Sequence, residues 1–502
     1  MKILILILLM TSLNLRAQVP SLDWAVSMGG VDRDIARSIA VDGNGNVYNV
    51  GAFTDTVDFD PGAGVQTLVS NGYHDAYIQK LDVNGNLLWV KQVGGIFDDL
   101  SFSIAIDGSG NVYSTGFFEN TVDFDPGAGV QTLVSDGFDD IYIQKLDANG
   151  NLLWVKHLGG PFYERGNSIA VDGSGNVYTT GEFSNTVDFD PGAGVQNLVS
   201  NGDDDIYIQK LDANGNLLWV KQFGDILTDR GSTIQVDSLG NVYSTGFFSG
   251  TVDFDPGVAV QNLVSNGGRD IYIQKLDENG NLLWVKQLGG TASDRGLGLV
   301  LDENRNVYTT GAFSNTVDFD PSVGVQNLVS NGQYDTYIQK LDENGSLLWV
   351  KQLGGPSYDE AYSIAINSNG HVYTTGTFAD TVDFDPNMAV QNLTSVGGSY
   401  DIFIQKLSQS TITSIELLEK PVPLNLAVYP NPIQDKVNIE LKQVIEEVEL
   451  NLSTITGQYI WSETYQQTGS IQLNLVSLPA GVYVLTLKAV SGQEANIKIV
   501  KE

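Results

Sequence analysis

A 65-residue internal repeat is the feature that most limits what this chain can fold into. Tryptophans recur with a constant spacing of 65 residues, and the stretch "TVDFDP" recurs six times at the same spacing. The tryptophans are Trp24, Trp89, Trp154, Trp219, Trp284 and Trp349. A fixed period of this kind indicates repeated supersecondary units that bury their apolar faces against their neighbours.

Each repeat contains four runs that are typical of β-strands. In the third repeat "SIAVD" and "NVYTTGEF" flank a turn at Gly175, and "DIYIQKLD" and "NLLWVKQ" flank a turn at Gly215. Aromatic and β-branched runs bounded by Asp, Asn and Gly predict hairpins, and the glycine supplies the positive φ of the turn. A four-stranded antiparallel unit at a fixed period predicts a propeller blade, with a solenoid as the alternative.

The two ends of the repeat region predict the number of blades. The sixth copy has its first hairpin and third strand, but "SQSTITS" replaces its tryptophan strand. Near the N-terminus "LDWAVSMGG" matches a tryptophan strand with no third strand before it. The sequence therefore predicts an all-β fold. Residues 18–407 form a six-bladed β-propeller that the N-terminal strand closes, which leaves no open edge. We expect each tryptophan to pack in the core between adjacent blades.

The segments outside the repeats predict an exported protein with a second domain. Residues 1–17 have the basic start, short apolar core and small-residue end of a signal peptide. No later stretch is long and apolar enough for a transmembrane helix. Residues 408–425 lack the repeat and contain Pro421 and Pro423, which fits a linker. Residues 426–502 contain alternating strand patterns that predict a small β-sandwich.

Composition excludes several classes of site and partner. The chain has no cysteine, which excludes disulfides and thiolate metal sites, and its three histidines fall at different places in the repeat. The net charge of −34 predicts a surface that repels nucleic acid and anionic lipid. Cations, basic surfaces and neutral ligands are the expected partners of a monomeric propeller.

Repeated carboxylates are the candidate ligand groups. The aspartates of "TVDFDP" are Asp58, Asp60, Asp123, Asp125, Asp188, Asp190, Asp253, Asp255, Asp318, Asp320, Asp383 and Asp385. A second column, at the blade-to-blade loop, is Asp34, Asp99, Glu164, Asp229, Asp294 and Asp359. Loops of these two kinds share one face of a propeller, so we expect rings of carboxylates there.

Two interpretations of these carboxylates remain open. Alternation places Val57 and Phe59 inward and Asp58 and Asp60 toward water, and Pro61 then ends the strand. This favours a structural turn that is repeated because the blade is repeated. Calcium bound by the aspartate pairs is the alternative, although calcium loops need further oxygen donors at fixed spacing. No other cofactor is predicted.

No catalytic constellation is visible in the sequence. Near-identical repeats supply every candidate residue six times, whereas catalysis needs one asymmetric set of tuned groups. We therefore predict a non-enzymatic surface protein that binds or displays, with a glycan or an envelope protein as the partner. An exported hydrolase that uses the acidic face is the alternative.

Two resemblances extend this interpretation. The motifs "GNVYTTGxF", "TVDFDP" and "DIYIQKLDxNGNLLWVKQxGG" resemble the SBBP-type β-propeller repeat of secreted bacterial proteins, over about residues 22–407. That family name implies seven blades, whereas this sequence counts to six.

The C-terminal module resembles the sorting domain of type IX secretion in Bacteroidetes-like bacteria. The matching residues lie in "YPNP", "LPAGVYVL" and the terminal "KIVKE": Tyr429, Pro430, Asn431, Pro432, Gly481 and Tyr483. The resemblance implies recognition by the type IX machinery, export across the outer membrane and removal of the module. Release, or attachment to surface glycolipid, would follow.

Overall fold

The computed structural model describes residues 26–367, 369–386, 390–395, 400–408, 426–454, 459–476, 478–489 and 494–501. In these ranges the regular elements are strands, and no helix is long and apolar enough to cross a membrane. The chain divides into two compact units, 1–409 and 410–502. The predicted signal peptide, Trp24 and residues 409–425 of the predicted linker lie outside the described residues.

The strands of the first unit follow the repeat. Repeat 1 contains β1 (Ile35–Val41), β2 (Val47–Phe53), β3 (Thr56–Asp58), β4 (Thr67–Val69), β5 (Asp75–Leu81) and β6 (Leu87–Val93). Repeat 2 contains β7 (Leu100–Ile106), β8 (Val112–Asp123), β9 (Thr132–Leu146) and β10 (Leu152–Leu158). Repeat 3 contains β11 (Arg165–Val171), β12 (Val177–Asp188), β13 (Asn197–Leu211) and β14 (Leu217–Phe223).

Repeats 4 to 6 continue the series. Repeat 4 contains β15 (Arg230–Val236), β16 (Val242–Phe248), β17 (Thr251–Asp253), β18 (Asn262–Val264), β19 (Asp270–Leu276) and β20 (Leu282–Leu288). Repeat 5 contains β21 (Arg295–Leu301), β22 (Val307–Phe313), β23 (Thr316–Asp318), β24 (Asn327–Val329), β25 (Asp335–Leu341) and β26 (Leu347–Leu353). Repeat 6 contains β27 (Glu360–Ile366), β28 (Val372–Phe378), β29 (Thr381–Asp383), β30 (Asn392–Thr394) and β31 (Asp401–Leu407).

The main strands of each repeat form one antiparallel sheet in which they pair in chain order, and in repeats 1, 4, 5 and 6 the two short strands form a separate two-stranded sheet. Five sheets have four strands, and the described residues of repeat 6 form a sheet of three, β27-β28-β31. The first strands of consecutive repeats lie side by side, so β11 contacts both β7 and β15. In the described residues, the antiparallel sheets and the repeated hairpins confirm the prediction of an all-β fold built from β-sheet repeats.

The "TVDFDP" segment forms a small hairpin that extends the second and third main strands. In repeat 1, β3 pairs with β4, so that Val57 lies opposite Leu68. In repeats 2 and 3 the same residues simply lengthen the main strands, as in β12 and β13. Val57 and Phe59 are buried, which confirms the inward positions expected from the alternation.

The tryptophans connect neighbouring sheets. Nε1 of Trp89 donates to the carbonyl oxygen of Ala148 in the next repeat at 3.1 Å, and Nζ of Lys80 donates to the same oxygen at 3.3 Å. Trp154, Trp219 and Trp284 repeat this contact at the next three boundaries. The indoles are only half-buried, although one edge of each contacts the neighbouring turn. They therefore differ from the fully packed core residues that the sequence predicts.

The boundary between sheets 6 and 1 is more open than the others. Ile402 and Ile404 in β31 are 77% and 79% exposed, whereas the equivalent Ile206 and Ile208 are fully buried. On the other side Ile39 is 68% exposed, whereas its equivalent Ile169 is 4% exposed. Apolar side chains that are covered within the other boundaries thus face solvent at this seam.

The second unit is a five-stranded sheet with its own core. Its strands are β32 (Leu426–Tyr429), β33 (Lys436–Thr454), β34 (Tyr459–Asn474), β35 (Gly481–Ala489) and β36 (Glu494–Lys501). The long strand β33 pairs with β32, β34 and β35, so the strands form one continuous sheet. The two separate sheets that a sandwich implies are therefore joined through β33. Side chains from all of its parts meet in one core, including Ile439, Leu450 and Leu485.

Two of the predicted sorting residues, Asn431 and Tyr483, make side-chain hydrogen bonds to the backbone of this unit. The side chain of Asn431 donates to the carbonyl oxygen of Lys498 and accepts from the backbone N–H of Val500, both at 2.9 Å. The hydroxyl of Tyr483 donates to the carbonyl oxygen of Pro479 at 2.8 Å. "YPNP" and the terminal "KIVKE" are distant in sequence, and Asn431 joins them through the backbone of β36.

Candidate binding face

The first aspartate of each "TVDFDP" closes the loop that follows it. Oδ1 of Asp188 accepts the backbone N–H of Asp190 at 3.0 Å and that of Gln196 at 2.7 Å. The same pair of bonds occurs in all six repeats. Side-chain oxygens that bond nearby backbone amides are typical of turns. The position therefore has a structural role in every repeat.

The second aspartate organises the next turn. Oδ1 of Asp190 accepts the backbone N–H of Gly192 at 2.8 Å, and Asp320 accepts from Ser322 in the corresponding place. The first aspartate of all six repeats and the second aspartate of repeats 1 to 5 thus have at least one oxygen engaged by their own loop. Calcium binding by these pairs stays a prediction, with the remaining carboxylate oxygens as its ligands.

The second carboxylate column, which the sequence predicts to form a ring on the loop face, lies inside the protein. Asp99, Glu164, Asp229, Asp294 and Asp359 are at most 1% exposed, and Asp34 is half-buried. Asp229 shows the reason, because its two oxygens accept the backbone N–H groups of Asp225 at 2.8 Å and Ser249 at 2.7 Å. These carboxyls fasten the blade-to-blade loop to the end of the second strand, and they do not form a surface for cations.

Burial changes the ionisation of this column. Desolvation raises the pKa of Asp99 and Glu164 to about 8, that of Asp229 to about 7, and those of Asp294 and Asp359 to about 6. A second buried carboxyl from the preceding repeat adds repulsion, as Asp205 does for Asp229. The backbone N–H donors act in the opposite direction and favour the ionised form.

The thermal stability of the first unit is expected to fall as the pH rises from 5 to 8. A raised pKa in the fold means that the native state holds protons that the unfolded chain has released above about pH 4. That contribution is present at low pH and is lost as the pH passes through 6 to 8. Carboxylates with ordinary pKa values are already ionised across this interval, so the slope of the melting temperature against pH reports the carboxyls with raised pKa values, which include this column together with Asp205 and Glu119.

Asp229→Asn is the matched variant for this measurement. Its side chain cannot ionise, so we expect a lower melting temperature at pH 5 and a flatter decline toward pH 8. A parent melting temperature that increases between pH 5 and pH 8 would contradict the prediction.

In repeat 2 a histidine contacts a buried aspartate, at the position where repeat 3 has a glutamine donor. In repeat 3, Asn201 and Gln222 donate to Oδ2 of Asp205 at 3.0 Å and 2.7 Å. In repeat 2 the corresponding residues are Asp136 and His157, and Nε2 of His157 lies 2.5 Å from Oδ2 of Asp140.

This trio is the group of potential metal ligands found within the described residues. Oδ2 of Asp136 lies 4.0 Å from the histidine nitrogen. The imidazole occupies the place of the glutamine donor, so a hydrogen bond to Asp140 accounts for the arrangement.

A cavity on the predicted loop face is lined by residues from all six repeats. Its volume is about 630 Å³. The lining residues are Arg37, Phe102, Arg165, Asn167, Glu182, Asp204, Thr228, Arg230, Ser232, Phe247, Arg269, Arg295, Leu297, Glu360 and Tyr362. Most of them begin the innermost strands β1, β7, β11, β15, β21 and β27, one residue or three residues after the buried carboxylates. The cavity therefore lies where the first strands converge.

Three of the arginines in this cavity are held by carboxylates. Nε and Nη2 of Arg165 donate to Asp139 at 2.8 Å and 2.6 Å. Arg230 pairs with Glu182 at 2.9 Å, and Arg295 pairs with Glu360 at 3.3 Å. These pairs orient the guanidinium groups around the opening.

Two further arginines lie over aromatic rings. Arg37 lies 5.4 Å from the ring centre of Phe102, and Arg269 lies 4.3 Å from that of Phe247. In the described part of the chain neither has a carboxylate oxygen within 4.0 Å. Burial and the nearby arginines lower the pKa of both groups, with Arg295 and Arg230 acting on Arg269.

Sequence reasoning missed these residues because it looked for what the repeats share. The cavity positions are those at which the repeats differ. The residue after the carboxylate column is Ile35, Leu100, Arg165, Arg230, Arg295 and Glu360 in repeats 1 to 6. A search for variable columns on the predicted loop face would have found them.

Known protein families match both units of the chain. The model of the secretion system C-terminal sorting domain matches residues 427–502. The beta-propeller repeat model, SBBP, matches residues 88–116, 153–182, 218–246 and 348–377. Each propeller match covers a tryptophan strand and the first hairpin of the following repeat.

The curated relatives are remote and longer than this chain. An uncharacterized WD repeat-containing protein, L264, from Acanthamoeba polyphaga mimivirus is 22% identical over 433 residues, which cover 72% of this chain and 31% of the relative. The regulatory protein FlaEY from Caulobacter vibrioides is 29% identical over 153 residues, which cover 30% of this chain and 16% of the relative. The chain thus spans less than a third of either relative.

Solved structures match only weakly. The extracellular domain of BT4673 from B. thetaiotaomicron is 12% identical with a TM-score of 0.17, and the match covers 93% of this chain and 79% of that one. The extracellular domain of BT3049 from the same organism is 10% identical with a TM-score of 0.16, covering 95% and 99%. TM-scores this low do not support any conclusion about the fold or the function of this chain.

The repeats and the C-terminal module together define a secreted, all-β repeat protein. More specifically, the first unit carries β-propeller repeats that match the SBBP model, and residues 427–502 match the sorting domain of type IX secretion. The sorting domain identifies the chain as an exported protein.

Proposed function

We propose that the mature protein is a non-catalytic binding protein of the cell surface or the extracellular space. Its ligand enters the cavity that residues of all six repeats line. The observation that carries this proposal is the asymmetry of that cavity. Where the repeats are otherwise almost identical, its lining differs from one repeat to the next. A glycan or an envelope protein is the proposed partner, and the sorting module is the part that the type IX machinery recognises.

The propeller is proposed to close through its N-terminal strand. Met28 packs against Phe53, Val57 and Phe59 of repeat 1. This is the place that Val93 takes against the equivalent residues of repeat 2. Val93 ends a tryptophan strand of the preceding sheet, so Met28 is proposed to end the missing fourth strand of sheet 6. Addition of that strand to β31 would complete sheet 6, and packing of sheet 1 against it would cover Ile402 and Ile404 as repeat 4 covers Ile206 and Ile208.

Binding and turnover can be separated in one set of measurements. The purified mature protein is expected to retain ligands on a glycan array and to leave glycan and peptide substrates intact. The array is read with calcium and with chelator, which tests the aspartate pairs at the same time. Turnover of a substrate by the purified protein would contradict the non-catalytic proposal.

One carboxylate pair supports an exported hydrolase as the second candidate. Glu119 lies opposite Asp139 on paired strands β8 and β9. Burial and the charge of Asp139 raise the pKa of Glu119 to about 7. Two neighbouring carboxyls, one of them with a raised pKa, are an arrangement that glycosidases use. If turnover is found, its loss in Glu119→Gln would assign it to this pair.

A further inference from the structure

Arginine is concentrated at the cavity far beyond its share of the chain. The sequence has eight arginines, and five of them line this one cavity in a protein whose net charge is −34. They come from repeats 1, 3, 4 and 5, so separate parts of the sequence supply them. A random distribution over an acidic surface does not place them together. The cavity lining also contains three carboxylates, Glu182, Asp204 and Glu360.

Among the described residues, Arg37 and Arg269 are the cavity arginines without a carboxylate oxygen within 4.0 Å, although Asp204 and Glu182 act on Arg269 from farther away. Both guanidinium groups contact the face of an aromatic ring, which fixes their position without satisfying their N–H donors. Nε of Arg295 and Oγ of Ser232 are also buried and have no hydrogen-bond partner within the described residues. Buried donors without acceptors are costly, and an oxygen-rich anion would supply the acceptors.

The fold itself does not need these arginines. Repeats 2 and 6 have the same innermost strand with Leu100 and Glu360 where repeats 3 to 5 have arginine. Arg37 likewise stands where other repeats have Phe102, Ser232 or Tyr362. Since the strands form with any of these side chains, a role outside folding explains the arginines best.

Size and charge together define the class of ligand. A cavity of about 630 Å³ falls within the range of small-molecule and oligosaccharide sites. Planar guanidinium groups recognise carboxylate, sulfate and phosphate groups through paired N–H donors. The acidic surface repels polyanions at long range, but screening limits that repulsion to about 10 Å at 0.1 M salt. A small anion at the cavity therefore interacts mainly with the local arginines.

We propose that the cavity binds a small ligand with two or more anionic groups, held by Arg37, Arg269 and Arg295. The proposal rests on the proposed function, because it assigns a ligand class to the same cavity. Carboxylated and sulfated oligosaccharides share the required chemistry. Acidic sugars are thus favoured over the neutral ligands that the net charge suggests.

The test uses the mature protein and three probes in isothermal titration calorimetry. The probes are an oligogalacturonate, a sulfated hexasaccharide and a neutral maltohexaose. We expect one of the two anionic probes to bind and the neutral probe not to bind. The two anionic probes distinguish carboxylate from sulfate recognition.

Charge-removing variants locate the binding. Arg37→Gln and Arg269→Gln are each expected to weaken binding of the anionic probe about tenfold or more, since each removes charge-assisted hydrogen bonds. Arg305→Gln is the matched control, because Arg305 lies outside the cavity and pairs with Glu343. It is expected to leave the affinity unchanged. Thermal melting of each variant separates loss of binding from loss of fold.

The possible results separate this inference from the proposed function. Failure of both anionic probes to bind at millimolar concentration overturns the inference. Affinity that is equal in Arg37→Gln, Arg269→Gln and Arg305→Gln also overturns it. Binding of the neutral probe, unaffected by the arginine variants, leaves a binding protein with a different ligand class. Cleavage of a probe during the titration overturns the proposed function itself.

Discussion

Deletion of residues 18–30 is expected to convert a soluble propeller into an aggregating one with a much lower melting temperature. The deletion removes the strand that is proposed to complete sheet 6, and it removes Met28 from the core of repeat 1. Ile39, Ile402 and Ile404 would stay exposed at the seam. Each fully buried isoleucine contributes about 1.5–3 kcal/mol, so the seam accounts for several kcal/mol in total. An unpaired strand edge also offers a template for association.

Light scattering and thermal denaturation measure the two effects. The matched control is an equally long deletion in the linker, residues 411–423, which is expected to change neither. In the first deletion, Ile402→Lys should reduce aggregation without restoring stability, because a charged edge strand disfavours pairing. A deletion of 18–30 that stays monomeric and melts like the parent would refute closure by this strand.

The sequence predicts the repeat architecture well because its rules are local. Turn glycines, alternation and strand length specify each hairpin within a few residues of chain. Gly175 has a φ of +81° and Gly215 a φ of +77°, as their turns require. The inward positions of Val57 and Phe59 follow from the same local alternation. Six copies of this hairpin pattern along the chain then give six similar sheets in the order of the repeats.

The candidate site depends on packing between repeats, which sequence patterns show poorly. Asp229 follows a loop and looks exposed in the sequence, yet the end of β16 covers it through the backbone N–H of Ser249. The next residue, Arg230, faces the cavity and pairs with Glu182 from repeat 3. Two adjacent residues therefore have different roles, because Asp229 is buried and bonds the backbone whereas Arg230 lines the cavity. The partner that decides between them lies in another part of the sequence.

The second unit shows the same limit. Alternating strands correctly predict a β-rich module, because that pattern is local. The continuity of the sheet through β33 depends on its pairing with β32, β34 and β35. Asn431 joins β36 through bonds to Lys498 and Val500, which the motif "YPNP" alone does not reveal. Contacts between distant segments set both features.

Phe189→Ala is expected to destabilise the first unit by about 3–5 kcal/mol. Phe189 is fully buried and contacts Phe183 and Tyr207 with ring centres 5.1 Å and 5.0 Å apart. Its carbonyl oxygen accepts from the buried side chain of Gln209 at 2.7 Å. Removal of the ring leaves a cavity that this anchored backbone cannot easily close. Thermal or urea denaturation of the mature protein measures the loss.

Variants of the preceding aspartate separate the two interpretations of "TVDFDP". Asp188→Asn retains an oxygen that can accept from Asp190 and Gln196, so we expect a loss below about 1 kcal/mol. Asp188→Ala removes both bonds and should cost about 1–2 kcal/mol. If calcium holds these loops, the ranking changes, because a bound ion stabilises the native state by mass action. Chelator would then lower the parent melting temperature by many degrees, and Asp188→Asn would reduce that difference. Equal melting temperatures in millimolar calcium and in chelator would leave the aspartates as turn residues, repeated because the hairpin around the buried phenylalanine is repeated.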